Sequence, residues 1–262
     1  MSDPVYRRDG DLFHPAAYAA GPFGGQHGGG VAGLLAACME QEAAATGGGL
    51  LLQLTVYYPR PTPLVPVKVT VDTARAGGRM TLVTAHLQAD GKWCAQATGV
   101  FVRGAPVGSL SPEPNAPPEP PDDLPRRPYV SPLFPHLHLG PEPQEGEAWL
   151  PRTFEGREDG AGGYWMRMLR PLCEPLTDMA RLAAMVDTAS GLVSRAEGNV
   201  AAFPNPDLTI HLHRAPVGEW VRMRPHAIWH EDGYGLCDTE LADVQGYLGR
   251  SSQSLVLVPR RE

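Results

Sequence analysis

Arg181-Leu-Ala-Ala-Met-Val-Asp187 lies over Leu34-Leu-Ala-Ala-Cys-Met-Glu40 at an offset of 147 residues. Each segment is a run of small and apolar residues that ends in an acid. The match continues down the chain. Leu54-Thr-Val-Tyr-Tyr-Pro-Arg60 lies over Leu208-Thr-Ile-His-Leu-His-Arg214 at an offset of 154, and Gly78 and Gly91 lie over Gly233 and Gly246 at 155. Three separate segments thus repeat in order, and one insertion between helix and strand explains the change of offset. Ordered self-similarity of this kind marks a duplicated unit.

The second copy of the helical segment sits within Pro175-Leu-Thr-Asp-Met-Ala-Arg-Leu-Ala-Ala-Met-Val-Asp-Thr-Ala-Ser-Gly191. This stretch reads as one amphipathic helix, with Pro175 and Thr177 as start signals and Gly191 as a stop. Met179, Leu182, Ala183 and Val186 recur at i, i+3, i+4, i+7, a core-facing stripe. Asp187 extends the row Met179, Ala183, Asp187 and stands at the edge of that stripe. A carboxylate there is costly unless it is hydrogen-bonded or has a task. The alternative is a late-helix Asp turned to solvent. The first copy, His27–Ala45, is a helix entered through Gly28-Gly-Gly30 and ended by Gly47-Gly-Gly49. Glycines at a helix start let a ligand approach unpaired backbone N–H groups, and they equally allow a tight turn for close packing. The lysine and hydroxyl of a phosphate loop are missing.

Strand-like runs follow each helix. After the first come Leu50–Tyr58, Val65–Thr73, Arg79–Gln88 and Trp93–Val102, the last two joined through the hairpin signal Asp90-Gly91. After the second come Asp207–Arg214, Trp220–Trp229, Gly235–Leu241 and Tyr247–Val258. Asp9–His14 reads as a short first strand, and Glu147–Glu155 and Tyr164–Leu169 as strands before the second helix. A helix followed by hairpin-linked strands, twice over, predicts an α+β fold with antiparallel sheet. Thirteen of the 28 prolines fall between Pro106 and Pro143, which reads as an extended linker. The predicted organisation is therefore an N-terminal repeat at 1–103, a Pro-rich linker at 104–145 and a C-terminal repeat at 146–262.

Composition narrows the function. The 262 residues suffice for one large core or two smaller ones. A net charge of −7 argues against nucleic acid and anionic membrane as partners. No apolar run approaches a membrane span, and no secretory signal opens the chain. The scattered Cys38, Cys94, Cys173 and Cys237 form no CxxC pair and suit free thiols in a reducing cytoplasm. No GxSxG marks a serine hydrolase, and no metal or cofactor is expected.

Matched positions that disagree between the copies single out the second half. Asp187 falls over Glu40, Asn205 over Leu51, and Gln253 over Thr98. The second half thus holds an acid and two amides where the first holds an acid, a leucine and a hydroxyl.

Taken together, His27-Gly-Gly-Gly-Val-Ala-Gly33, the Asp90-Gly-Lys hairpin before Ala97-Thr-Gly-Val-Phe101, Asp187, Leu208-Thr-Ile-His-Leu-His-Arg-Ala-Pro216 and Gln253-Ser-Leu255 resemble the double-hotdog acyl-CoA thioesterases of the thioesterase II type. The resemblance covers roughly 15–103 and 146–258. It implies a pseudo-twofold pair of hotdog units and hydrolysis of an acyl-CoA to free acid and CoA. An Asp, a Thr or Ser, and a Gln hold the attacking water in that family. Asp187 and Gln253 match that pattern, and Asn205 stands at the hydroxyl position. His27, Gly28, Gly29 and Gly30, or the N-terminus of the second helix, would bind substrate and stabilise the oxyanion. Arg60, Arg79, Arg214 and Arg250 are candidates for a basic rim toward the CoA phosphates. A homo-oligomer assembled through sheet edges or faces is also implied. The rival reading is a non-catalytic acyl-CoA-binding or assembly protein on the same fold. A hydratase-type Asp-His pair is disfavoured because position 192 is Leu.

Overall fold

A computed structural model of the chain describes residues 3–108, 110, 121–124, 130–131, 134–138, 148–193 and 198–260. Its strands are β1 (Tyr6–Asp9), β2 (Leu12–Pro15), β3 (Leu50–Tyr57), β4 (Val67–Ala76), β5 (Met80–Ala89), β6 (Lys92–Val102), β7 (Val130–Ser131), β8 (Phe134–His138), β9 (Phe154–Glu158), β10 (Tyr164–Met168), β11 (Val200–Ala202), β12 (Asp207–Leu212), β13 (Val221–His230), β14 (Tyr234–Asp243), β15 (Gly246–Val256) and β16 (Val258–Pro259). The helices are α1 (Gly28–Ala45), α2 (Asp178–Val186) and α3 (Ala189–Leu192), with three short 3₁₀ turns. Twelve strands form one antiparallel sheet in the order β1-β2-β4-β5-β6-β3-β12-β15-β14-β13-β10-β9. This is the double hotdog expected from the sequence: two like sheets joined edge to edge through β3 and β12, with the helices packed on one face.

The sheet register shows the duplication directly. Thr55 pairs with Thr209 at the β3–β12 junction, and their hydroxyls meet at 3.2 Å. These residues are 154 apart, so the pseudo-twofold axis passes between them. Even the irregularities repeat. A bulge leaves Cys94 as the extra residue of β6, and the matching bulge leaves Leu248 as the extra residue of β15. Both are buried, because a bulge turns one more side chain toward the core. The register also corrects one alignment. Gly99 pairs with Val83 and Gln253 with Cys237, so Gln253 lies over Gly99, and Ser252 over Thr98. The paired residues keep an offset of 154 up to the turn itself, where Ala89–Lys92 corresponds to Asp243–Gly246, so the 155-residue match of the turn glycines is not the structural one.

Three element boundaries differ from the sequence reading. The first strand is a hairpin, β1–β2, because Gly10 takes a positive φ of 57° and turns the chain. Residues 150–153, expected in a strand, form a 3₁₀ turn around Pro151 closed by the Thr153 hydroxyl on the Leu150 carbonyl at 2.7 Å. The helix expected over 175–191 breaks at Asp187. Thr188 N–H and hydroxyl both bond the Met185 carbonyl, at 3.0 and 2.6 Å, which tightens the last turn and stops propagation. Of the expected linker, residues 109, 111–120, 125–129, 132–133 and 139–145 lie outside the described residues. Within it, Leu124 packs with Trp165 and Trp220.

Helix α1 is apolar nearly all round because it is covered on both sides, by β4–β6 and by α2. Leu34, Leu35 and Met39 are fully buried, each contributing about 1.5–3 kcal/mol. A Cβ on Gly33 would stand 2.5 Å from the Ala180 carbonyl oxygen, and one on Gly29 would strike that of Ala184. Glycine at these positions is what lets α1 and α2 touch backbone to backbone.

Candidate active site

The chain enters α1 through a clamp. Gln26, buried, accepts a hydrogen bond from the Tyr6 hydroxyl at 2.8 Å and donates to the carbonyls of Pro63 and Val65 at 2.8 and 3.2 Å. The next residue, His27, caps the helix: its Nδ1 accepts the Gly29 N–H at 3.0 Å. That bond uses the Nδ1 lone pair, so in the neutral ring the proton is on Nε2. The Tyr58 hydroxyl donates to the Gly28 carbonyl at 3.1 Å and holds the first turn from below. Burial, then the nearby charges of Asp187 and Asp207, push that hydroxyl well above its ordinary pKa, so it stays a donor.

The end of α2 meets this turn. Thr177 caps α2 at its start, accepting the Ala180 N–H at 3.1 Å, and Asp187 is the residue that closes it. The carboxylate is not turned to solvent; Asp187 is 5% exposed. Its Oδ1 accepts Asn205 Nδ2 at 2.9 Å and Gln253 Nε2 at 3.4 Å. Gln253 Nε2 also donates to the Asp187 carbonyl at 3.1 Å. Asp187 Oδ2 stands 3.2 Å from His27 Nδ1, and a Cβ on Gly28 would lie 2.8 Å from that same oxygen. Position 28 is therefore glycine because the carboxylate comes so close. Asn205 Nδ2 spends its second hydrogen on the Asp207 carbonyl at 3.1 Å. Two amides thus fix one carboxylate oxygen and leave the other facing the first turn of α1. A carboxylate held this way can take a proton from a water in the cleft outside it.

The same construction in the first half is closed. Glu40 accepts a hydrogen bond from the Thr177 hydroxyl, so each half sets an acid at the N-cap of the other half's helix. Burial, and more weakly the charge of Asp178, raise the Glu40 carboxyl to about 7 against the lowering effect of Thr177. Where the second half has Asn205 and Gln253, the first has Leu51, 1% exposed, and Gly99. A Cβ on Gly99 would lie 2.7 Å from Met39 Cε and 2.9 Å from Leu51 Cδ1. Methionine and leucine fill the space that the amides occupy opposite.

The cleft outside Asp187 encloses about 700 Å³, its mouth included, and is lined by His27, Gly28, Asp187 and Asn205 together with Phe23, Trp149 and Phe203. Five of the predicted residues, Asp187, Asn205, Gln253, His27 and Gly28, come together. Gln253, 1% exposed, reaches Asp187 from behind and does not line the cleft. Gly29 gives its N–H to His27 and faces Ala184, and Gly30 faces the Tyr6 hydroxyl, so neither points at the cleft. Arg214 is bound to Asp243 and Arg250 lies on the outer face of β15. Arg60 is exposed two residues from Thr62, whose carbonyl accepts the Gln26 N–H. Sequence reasoning missed Gln26, Tyr58 and the three aromatic wall residues: Phe23, Gln26 and Phe203 sit in Gly- and Pro-rich segments without periodicity, and Tyr58 and Trp149 fall within expected strands with nothing to mark them for a site.

Two thioesterase family models match the chain: an acyl-CoA thioesterase N-terminal domain over residues 18–102 and an acyl-CoA thioesterase C-terminal domain over residues 112–257. The sequence matches no curated protein. Among solved structures, a protein assigned as a thioesterase from Novosphingobium aromaticivorans superposes with a TM-score of 0.72 at 22% identity, covering 98% of this chain and 100% of that one. The acyl-CoA thioesterase II TesB2 of Mycobacterium marinum gives 0.65 at 17% identity, with 97% and 94% covered. A hot dog protein from Alicyclobacillus acidocaldarius gives 0.65 at 22% identity, with 98% and 96% covered. The likeness of fold agrees with the family models, and the chain belongs to the acyl-CoA thioesterase family.

Proposed function

We propose that the protein hydrolyses the thioester of an acyl-CoA, with Asp187 as general base. The observation that carries this reading is the convergence on one buried carboxylate of two amides from the second half and the His27-Gly28 turn of the first, at the floor of an apolar cleft. Asn205 and Gln253 hold Oδ1, so Oδ2 is the atom that accepts the proton. A water beside Oδ2 attacks the thioester carbonyl carbon as its proton passes to Oδ2. The carbonyl oxygen becomes an oxyanion near the start of α1, where the Gly28 N–H has no helical partner and the helix dipole favours negative charge. His27 Nε2–H is the second donor toward it. The tetrahedral intermediate collapses with cleavage of the C–S bond, and the CoA thiolate takes back the proton from Oδ2. Asn205 acts here by orienting Asp187 and offers its own Oδ1 to the water.

Asp187→Asn keeps the shape and removes the base. Release of free thiol from acyl-CoA by this variant is expected to fall by about 10²–10⁴-fold, with acyl-CoA affinity retained. Turnover near the wild-type rate would overturn the assignment of Asp187. Binding without thiol release by the wild type itself would favour an acyl-CoA-binding role.

A further inference from the structure

The cleft is walled by rings. Phe23 and Phe203 meet edge to face, with centroids 5.8 Å apart and planes at 83°. Phe203 leans in turn on Trp229 at 5.7 Å, and Trp149 stands 6.4 Å from the His27 ring. These walls are held in place. Phe203 and Trp149 are 4% and 5% exposed. Phe23 sits on a turn closed by the Gly21 N–H on the Gly25 carbonyl at 2.8 Å, with Gly25 pressed against the Thr62 carbonyl.

Inward of Asp187 the space ends. Gly29 and Gly33 bring the α1 backbone onto the carbonyls of Ala184 and Ala180, and Ala32, Val186 and Gln253 behind the site are at most 1% exposed. An acyl group whose carbonyl reaches Asp187 therefore cannot run on between the helices. It must lie in the mouth, among Phe23, Phe203, Trp149 and Leu192, which all line the cleft.

We propose that this cleft selects a compact acyl group ending in an aromatic ring, and gains nothing from a long straight chain. The proposal rests on the acyl-CoA reading above and names its substrate class. Each methylene that is buried is worth roughly fourfold in binding, so a chain that leaves the cleft stops gaining once it reaches solvent. A ring that packs edge to face against Phe23 and Phe203 gains about 2- to 10-fold beyond its area.

The test compares acetyl-, hexanoyl-, palmitoyl-, benzoyl- and phenylacetyl-CoA in two ways. Hydrolysis gives kcat/KM for the wild type, Phe203→Leu and Phe23→Leu. Calorimetry gives the affinity of Asp187→Asn for the same esters and needs no turnover. The expected result is phenylacetyl-CoA ahead of hexanoyl-CoA by about fivefold, no gain from hexanoyl to palmitoyl, and a loss of the aryl preference in both leucine variants. Phe23 is 42% exposed, so its variant keeps the fold even if that of Phe203 does not. A gain that continues to palmitoyl, or an aryl preference untouched by either variant, overturns the proposal. Aryl-selective affinity without hydrolysis of any ester upholds it while removing the hydrolase reading, and equal affinities overturn it whatever the rates.

Discussion

Replacing Glu40 by Gln should stabilise the protein at neutral and alkaline pH and leave it unchanged at pH 4.5 and below. The carboxyl of Glu40 is mostly buried, accepts one hydrogen bond from Thr177 and is raised from 4.5 to about 7. A raised carboxyl means that the folded state holds a proton which the unfolded chain releases. Folding therefore carries no penalty from this group below pH 4.5, and loses stability as pH rises from there through 7. The shift of about 2.5 units corresponds to about 3 kcal/mol once both states are ionised. Glutamine offers the same acceptor to the Thr177 hydroxyl and never ionises, so it removes that cost. Urea denaturation of wild type and Glu40→Gln at pH 4.5, 6, 7 and 8 reads the difference, which other titrating groups share and cancel. The two proteins should coincide at pH 4.5 and separate steadily to about 3 kcal/mol by pH 8. Parallel curves, or a variant less stable at pH 8, would refute the reasoning and place the Glu40 carboxylate in contact with water.

Two further perturbations test the packing. Gly33→Ala puts a methyl group 2.5 Å from the Ala180 carbonyl oxygen and should cost about 1–3 kcal/mol in urea denaturation by forcing α1 from α2. Arg214→Met removes the bidentate partner of Asp243, which is 0% exposed and also accepts the Val217 and Gln245 N–H groups; the uncompensated charge should cost about 3–5 kcal/mol at neutral pH. The arginine and those hydrogen bonds hold the Asp243 carboxyl below its ordinary value against the opposing effect of burial, so its stabilisation of the wild type is present above that value and is lost on acidification. In Arg214→Met this acid-sensitive part should shrink, which an acid titration followed by circular dichroism would record.

The fold was legible because duplication leaves a trace that single elements do not. A run such as Leu-Ala-Ala is uninformative alone, but two copies followed by matching strands and turn glycines fix the order of elements. The acid was legible because both copies of the helical run end in one, and the two amides because they stand where the halves disagree. What the pattern could not show was direction and closure. The first stop signal after the apolar stripe is Gly191, and nothing local announces that the helix stops at Asp187; the Thr188 bonds to Met185 do that. The turn glycines shift the alignment by one residue, which set Gln253 over Thr98 when the register sets it over Gly99. The walls contributed by Phe23, Trp149 and Phe203 come from three separate irregular segments that only tertiary structure brings together.

The junction of β3 with β12 bears on how the chain is made. Residues that pair there are 154 apart, so during synthesis at about 5–20 residues per second the edge of β3 waits roughly 8–30 seconds for its partner. Until β12 emerges, Leu50–Tyr57 presents open backbone donors and acceptors beside apolar side chains, the arrangement that invites another nascent chain to pair. Neighbouring ribosomes on one message would hold several such edges close together. The first repeat therefore faces its greatest aggregation hazard before the half that carries Asp187 exists.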